Sequence, residues 1–181
     1  FLMSLGVLAA LQMPHVKHRI EVYLNPESDL LGKGHQPYQA KIAAGSGELF
    51  GRGVGESLQK LNYLPEARSD YIAAIYAEEL GFVGVLFLVL VYLFMAYSGF
   101  HIAMKAQSKA GFYVASAITF LISVQAFLNL GVVSGLLPSK GTNLPFFSQG
   151  GSSLLANCIA MALIMSANKK KEAHWKVQQT V

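Results

Sequence analysis

Four charged side chains crowd the edge of a long apolar run. Arg68 and Asp70 stand just before it and Glu78 and Glu79 at its mouth, in the stretch from Leu64 to Gly84, which reads LPEARSDYIAAIYAEELGFVG. Carboxylates are rare in membrane segments because desolvating them is costly, and those present mark paths and sites. The pattern points to a polar chamber where a membrane surface meets an outer loop. Asp70 is the first candidate for chemistry. Each group also has a plainer role. Asp70, or Ser69 beside it, could cap the helix that follows. Glu78 and Glu79, further along that helix, could be a structural pair facing the interior of a bundle.

The elements that must position these groups follow from composition. The chain has 181 residues, 53% hydrophobic and only 13% charged, with mean hydropathy +0.41. Soluble domains carry about 25% charged residues, so the deficit argues for a membrane protein. Its basic balance does not suggest nucleic acid, because no basic stripe with interleaved aromatics is present. The single cysteine, Cys158, lies in an apolar run and reads as a small packing residue. His15 and His18 have no Cys or carboxylate partner at a recognisable metal-ligand spacing.

Helices are expected near residues 1–14, 70–99, 111–134 and 151–167. The first stretch is short of the roughly 20 residues a span needs and is read as the end of a helix that starts upstream. Lysines cluster at 169–171 and at Lys105 and Lys109, while the 135–150 loop holds only Lys140. By the positive-inside rule the tail and the 100–110 loop face the cytoplasm. The long 15–69 segment and the 135–150 loop are then outside, and the tail lysines anchor to anionic membrane lipids.

The 15–69 segment is too long for a plain connector. Residues 45–55, GSGELFGRGVG, hold five glycines. Such density lets a backbone approach a ligand or another backbone closely. The spacing is neither that of a P-loop nor that of a dinucleotide fingerprint, and a tightly packed re-entrant or interfacial turn is the plainer reading. Short helices are expected on either side, over Tyr38 to Ala44 and Glu56 to Lys60, lying along the membrane surface.

Four blocks, in order, resemble the carboxyl-terminal part of the SEDS family (shape, elongation, division and sporulation), whose members are called FtsW, RodA and SpoVE. They are Arg19-Ile20 with Pro26 downstream; Gly45 to Gly55 followed by Ser57, Gln59 and Lys60; Leu64 to Gly84; and Asn129 to Leu154. Glu56 to Lys60 and Tyr63 to Glu66 look more like the division member than the elongation member. The resemblance implies an all-α, polytopic transmembrane bundle, of which this chain supplies about four transmembrane helices and a large outer loop. It implies a multi-pass protein of the bacterial inner membrane that polymerises lipid II into glycan strands of peptidoglycan. The implied partners are a class B penicillin-binding protein, a transpeptidase that cross-links the new strand, and other division proteins. The family's catalytic aspartate falls on Asp70. Arg68, Ser69 and Tyr71 depart from the customary His-Thr-Asp-Phe pattern around it, and Gln149 replaces a customary tyrosine.

Transglycosylation needs a sugar hydroxyl made nucleophilic and a lipid diphosphate able to leave. A carboxylate that takes the hydroxyl proton contributes about 10²–10⁴-fold, and Asp70 suits that role. The diphosphate needs positive charge, from Lys60, Arg52 or Arg68 or from a bound divalent ion such as Mg or Mn. Gly150, Gly151 and Ser152 are expected to open the last helix on the outer side. Helix N-termini attract phosphate, although a plain turn and cap explains the same residues.

A transporter or flippase for the lipid-linked precursor is one alternative, and it requires an acidic path toward the cytoplasm. Beyond Glu79 no acid occurs until Glu172, which favours chemistry at the outer face. A non-catalytic division scaffold is the other, and it would tolerate the loss of Asp70, which is retained.

Overall fold

A computed structural model of the chain describes residues 16, 23, 35–57, 71–138 and 141–168. The expected helix near 1–14, and Lys60, Arg68, Ser69 and Asp70, lie outside the described residues. Those described are helical or irregular, with no strand among them. Among the described residues the main helices are α1 (His35–Ser46), α2 (Ile72–Met104), α3 (Lys109–Val133) and α4 (Gly151–Ser166).

The helix α1 contains the expected Tyr38 to Ala44 segment. Pro37 sits in its first turn, where a missing N–H removes no intrahelical bond. Ala40 and Ala43, one turn apart, are fully buried. They share a cluster with Ala73 and Ala74 of α2 and with Val132 and Val133 of α3. Small side chains let helix backbones approach closely where lipid supplies no hydrophobic drive to association. The other expected outer-loop helix is not formed at its start: Glu56 and Ser57 are irregular, and residues 58–60 lie outside the description.

The helices α2 and α3 form an antiparallel pair. Met104 is followed by a short turn in which the Ser108 hydroxyl accepts from the Gly111 N–H at 3.0 Å, capping α3. Gly99 marks a close crossing of the pair, for a methyl group there would run into the Thr119 side chain. The helix α3 ends in a Schellman motif. Gly135 takes φ +73°, the Leu136 N–H donates to the Gly131 carbonyl at 2.8 Å, and the Gly135 N–H donates to that of Val132 at 3.0 Å. The helix α4 packs on α3 and α2, with Ala103, Ala115 and Ile164 forming a second small cluster.

Two helices, α2 with 33 residues and α3 with 25, are long and apolar enough to cross a membrane, and α4 is a shorter apolar helix. Outward faces carry Phe87, Leu93, Phe94, Phe120 and Phe127, all well exposed. So large an apolar surface suits lipid and neighbouring helices. The fold is an all-α membrane bundle.

The sequence expectation of a continuous helix over 70–99 needs correction. The helix α2 runs five residues further, to Met104, and is broken at Gly81, whose backbone takes φ 66° and ψ −163°. It is a half-helix over 72–80 followed by a longer one over 82–104. Cys158, expected to be a packing residue, is exposed on α4.

Candidate functional site

A break in a membrane helix exposes polar backbone groups that hydrocarbon cannot satisfy, so such breaks occur only where protein or water covers them. Here the glycine-rich loop covers it. Two carbonyls at the end of the half-helix, of Glu78 and Glu79, accept from the Arg52 N–H at 3.0 Å and the Gly53 N–H at 3.1 Å. Beyond the break the Phe82 N–H donates to the Glu48 carbonyl at 2.9 Å, and the Val83 N–H to the Leu49 carbonyl at 3.2 Å. The loop supplies what the helix interrupts, on both sides of the interruption.

Such contact demands backbones without side chains between them. A methyl at Gly47 would strike the Ala77 carbonyl, one at Gly51 the Glu79 carbonyl, and one at Gly81 the Gly51 amide and Leu49 carbonyl. Gly51 also takes φ +79°, a conformation L side chains resist. These glycines serve close backbone packing, the plainer of the two sequence readings.

Side chains lock the same junction. Glu78 is 1% exposed. The Ser57 hydroxyl donates to its Oε2 at 2.5 Å, and an Arg52 guanidinium nitrogen lies 3.8 Å from its Oε1. Arg52 Nε also donates to the Ser46 carbonyl at 3.4 Å, and the Arg52 side chain is 41% exposed. A buried carboxylate needs partners of this kind. Glu78 therefore faces the protein interior, as expected for the pair, while Glu79 is half-buried. The structure joins Arg52, the one basic candidate among the described residues, to Glu78, which Ser57 also holds. Sequence reasoning named Ser57 only within a family block, without a role, and missed the break at Gly81. The available signals were a serine two residues past the last glycine of the loop and a glycine inside an apolar run.

A second irregular segment, residues 141–150, enters the bundle between α3 and α4. Leu144 and Pro145 are buried, and polar side chains of the spanning helices hold their neighbours. Asn129 Nδ2 donates to the Thr142 carbonyl, Gln125 Nε2 to the Asn143 carbonyl at 3.0 Å and the Tyr92 hydroxyl to the Pro145 carbonyl at 2.6 Å. Phe147 packs edge-on against Tyr76 of the half-helix, with ring centroids 5.2 Å apart. This segment delivers the chain to α4, which opens at Gly151 with Gly150 in the cap position and no side-chain cap bond. Gly151 and Ser152 are exposed, and a methyl at Gly151 would meet nothing within 4 Å.

Beside the break lies a cavity of about 590 Å³, walled mainly by Phe82, Val85, Leu88, Phe127, Leu130 and Leu137. Its lining is almost wholly apolar. Among the described residues no three His, Cys, Asp or Glu side chains gather as a metal cage.

Comparison with known proteins bears on this arrangement. The family model FtsW/RodA/SpoVE, described as "Cell cycle protein", matches residues 1–173. A probable peptidoglycan glycosyltransferase FtsW of Hydrogenovibrio crunogenus is 44% identical over 90% of this chain and 42% of its own length. Stage V sporulation protein E of Bacillus subtilis is 43% identical over 88% of this chain and 43% of its own. A solved structure, "Structural coordination of polymerization and crosslinking by a peptidoglycan synthase complex", superposes with TM-score 0.69 at 26% identity, covering 91% of this chain and 47% of that one. The chain thus spans less than half the length of these relatives.

Proposed function

The chain belongs to the FtsW/RodA/SpoVE family of cell cycle proteins, and from that premise we propose that the whole protein is a peptidoglycan glycosyltransferase. It polymerises lipid II into glycan strands at the outer face of the bacterial inner membrane during division, with its carboxyl terminus in the cytoplasm. The observation that carries this reading is the identity of about two residues in five to relatives named as such enzymes, over nearly all of this chain.

In the reaction, a sugar hydroxyl oxygen attacks the anomeric carbon of a lipid-linked sugar. The bond from that carbon to the diphosphate oxygen breaks, and the polyprenyl diphosphate leaves with the electron pair. Asp70 takes the hydroxyl proton as the new bond forms. Lys60, Arg52 and Arg68 bind the diphosphate and stabilise its growing charge, with Gly150, Gly151 and Ser152 offering backbone N–H groups at the start of α4. A divalent ion such as Mg or Mn bound with the diphosphate would supply further positive charge there, and no step is routed through one. The apolar cavity beside the break supports a substrate with a long hydrocarbon tail. The relative whose description couples polymerization to crosslinking supports a class B penicillin-binding protein as partner. Acids are absent from α2 beyond the break and from α3 and α4, which disfavours a transport path.

The test is Asp70→Asn in the full-length protein, reconstituted with lipid II. Asn keeps the shape and can still cap a helix, so it separates a base from a cap. Polymerisation is expected to vanish while insertion and abundance hold. Retained polymerisation removes Asp70 from the chemistry, and lost abundance makes it a cap.

A further inference from the structure

We propose that Glu78 is a positioning residue: its buried carboxylate, joined to Ser57 and Arg52, keeps the glycine-rich loop seated in the break of α2 and thereby sets where Arg52 stands.

The argument begins with the backbone. The loop and the break are joined by N–H···O=C bonds running both ways, from Arg52 and Gly53 into the half-helix and from Phe82 and Val83 into the loop. Those bonds place two irregular segments together, and the apolar side chains of the loop add little burial to them. Leu49, Phe50 and Val54 are largely exposed and bury no core. The glycines at 47 and 51 permit the approach and contribute no side-chain packing.

Glu78 supplies the missing hold. It lies in the last turn of the half-helix, and its own carbonyl accepts from the Arg52 N–H. Its side chain meets both flanks of the loop: Arg52 within the glycine stretch and Ser57 beyond it. One residue thus grips the loop through main chain and side chain together. Bonds to an ionised or buried carboxylate are among the stronger ones a protein makes. The arrangement also orders Arg52, whose exposed side chain would otherwise sample many rotamers.

The consequence for catalysis rests on the glycosyltransferase reading: Arg52 is held ready for a diphosphate by a residue that never touches it. The seating itself does not depend on that reading, and the two are tested apart. The full-length protein in lipid nanodiscs is compared with Glu78→Gln and Glu78→Ala by amide hydrogen exchange at residues 52, 53, 82 and 83. Gln keeps an acceptor for the Ser57 hydroxyl and loses the charge facing Arg52, whereas Ala loses both. Exchange at those amides should accelerate by about 10- to 100-fold in Glu78→Ala, as loss of a hydrogen bond to a charged group implies. Glu78→Gln should fall between, with α3 amides unchanged in both. In polymerisation assays KM for lipid II should rise more than kcat falls.

Unchanged exchange at the junction of correctly inserted Glu78→Ala overturns the proposal, and so does acceleration spread equally through α3. If Glu78→Ala fails to insert, Glu78→Gln and Arg52→Gln decide instead, and unaltered junction amides in both overturn it. Wild-type protein that makes no glycan strands would sink the glycosyltransferase reading and leave the exchange result standing.

Discussion

Among the described residues, the break in α2 and the irregular entry to α4 solve the same problem by opposite means. At the break in α2, backbone satisfies backbone: the loop over 47–53 donates to Glu78 and Glu79 and accepts from Phe82 and Val83. At the entry over 141–150, side chains satisfy backbone: Asn129, Gln125 and Tyr92 reach from spanning helices to single carbonyls. The first solution requires glycine, because the main chains touch. The second requires polar side chains on otherwise apolar helices, because the main chains stay apart. The two therefore fail differently. An added methyl ruins the first, and removal of one polar atom weakens the second.

The largest effect should come from Gly51→Ala. It combines a left-handed φ with a methyl driven into the Glu79 carbonyl, and should lower stability by about 3 kcal/mol, read as an early thermal transition in detergent. A mild effect would mean that the loop is loosely seated and that the contrast is false.

Next comes Asn129→Leu, which preserves bulk and strands the Thr142 carbonyl. A loss of about 1–3 kcal/mol is expected, with faster proteolysis in the 141–150 segment. A penalty above that of Gly51→Ala would invert the comparison. Tyr92→Phe removes only the bond to the Pro145 carbonyl and should cost about 1 kcal/mol, measurable in the same melts.

The smallest changes sharpen the contrast by leaving it alone. Gly45→Ala and Gly151→Ala add methyls that meet nothing within 4 Å, so stability should not fall, and helix propensity should raise it by no more than about 1 kcal/mol. Gly151→Ala carries a second reading. A fall in lipid II polymerisation at unchanged stability would assign that helix start to substrate, and full activity would leave it a plain turn.

Much of this was legible in the residues. Uncharged apolar runs marked α2, α3 and α4, and the Tyr38 to Ala44 stretch marked the middle of α1. Glu78 was legible because a carboxylate in apolar surroundings must be paired, which made an interior position the natural reading. The break was not. One glycine in an apolar run costs only about 1 kcal/mol in a helix, too little to distinguish a break from a tolerated residue. Its partner lies about thirty residues earlier in the chain, and no periodicity links the two. Tyr92, Gln125 and Asn129 were hidden for a related reason: isolated polar residues in a span resemble tolerated exceptions until the carbonyls they serve are seen. Asp70, Lys60 and Arg68 rest on their residue types and on the family, since they lie outside the described residues.

The break also acts as a depth gauge. From Phe82 to Met104, at the rise of an α-helix, α2 extends about 34 Å, while the hydrocarbon of a bilayer is about 30 Å thick. The longer half of α2 therefore completes a crossing alone, with Lys105 just past its far end. The nine residues ahead of the break add no length that the crossing needs. They are free to stand in the headgroup layer. Glu78 then needs no passage through oil to be where it is. The acid that reads in sequence as standing at the mouth of the apolar run is mounted on the membrane's rim.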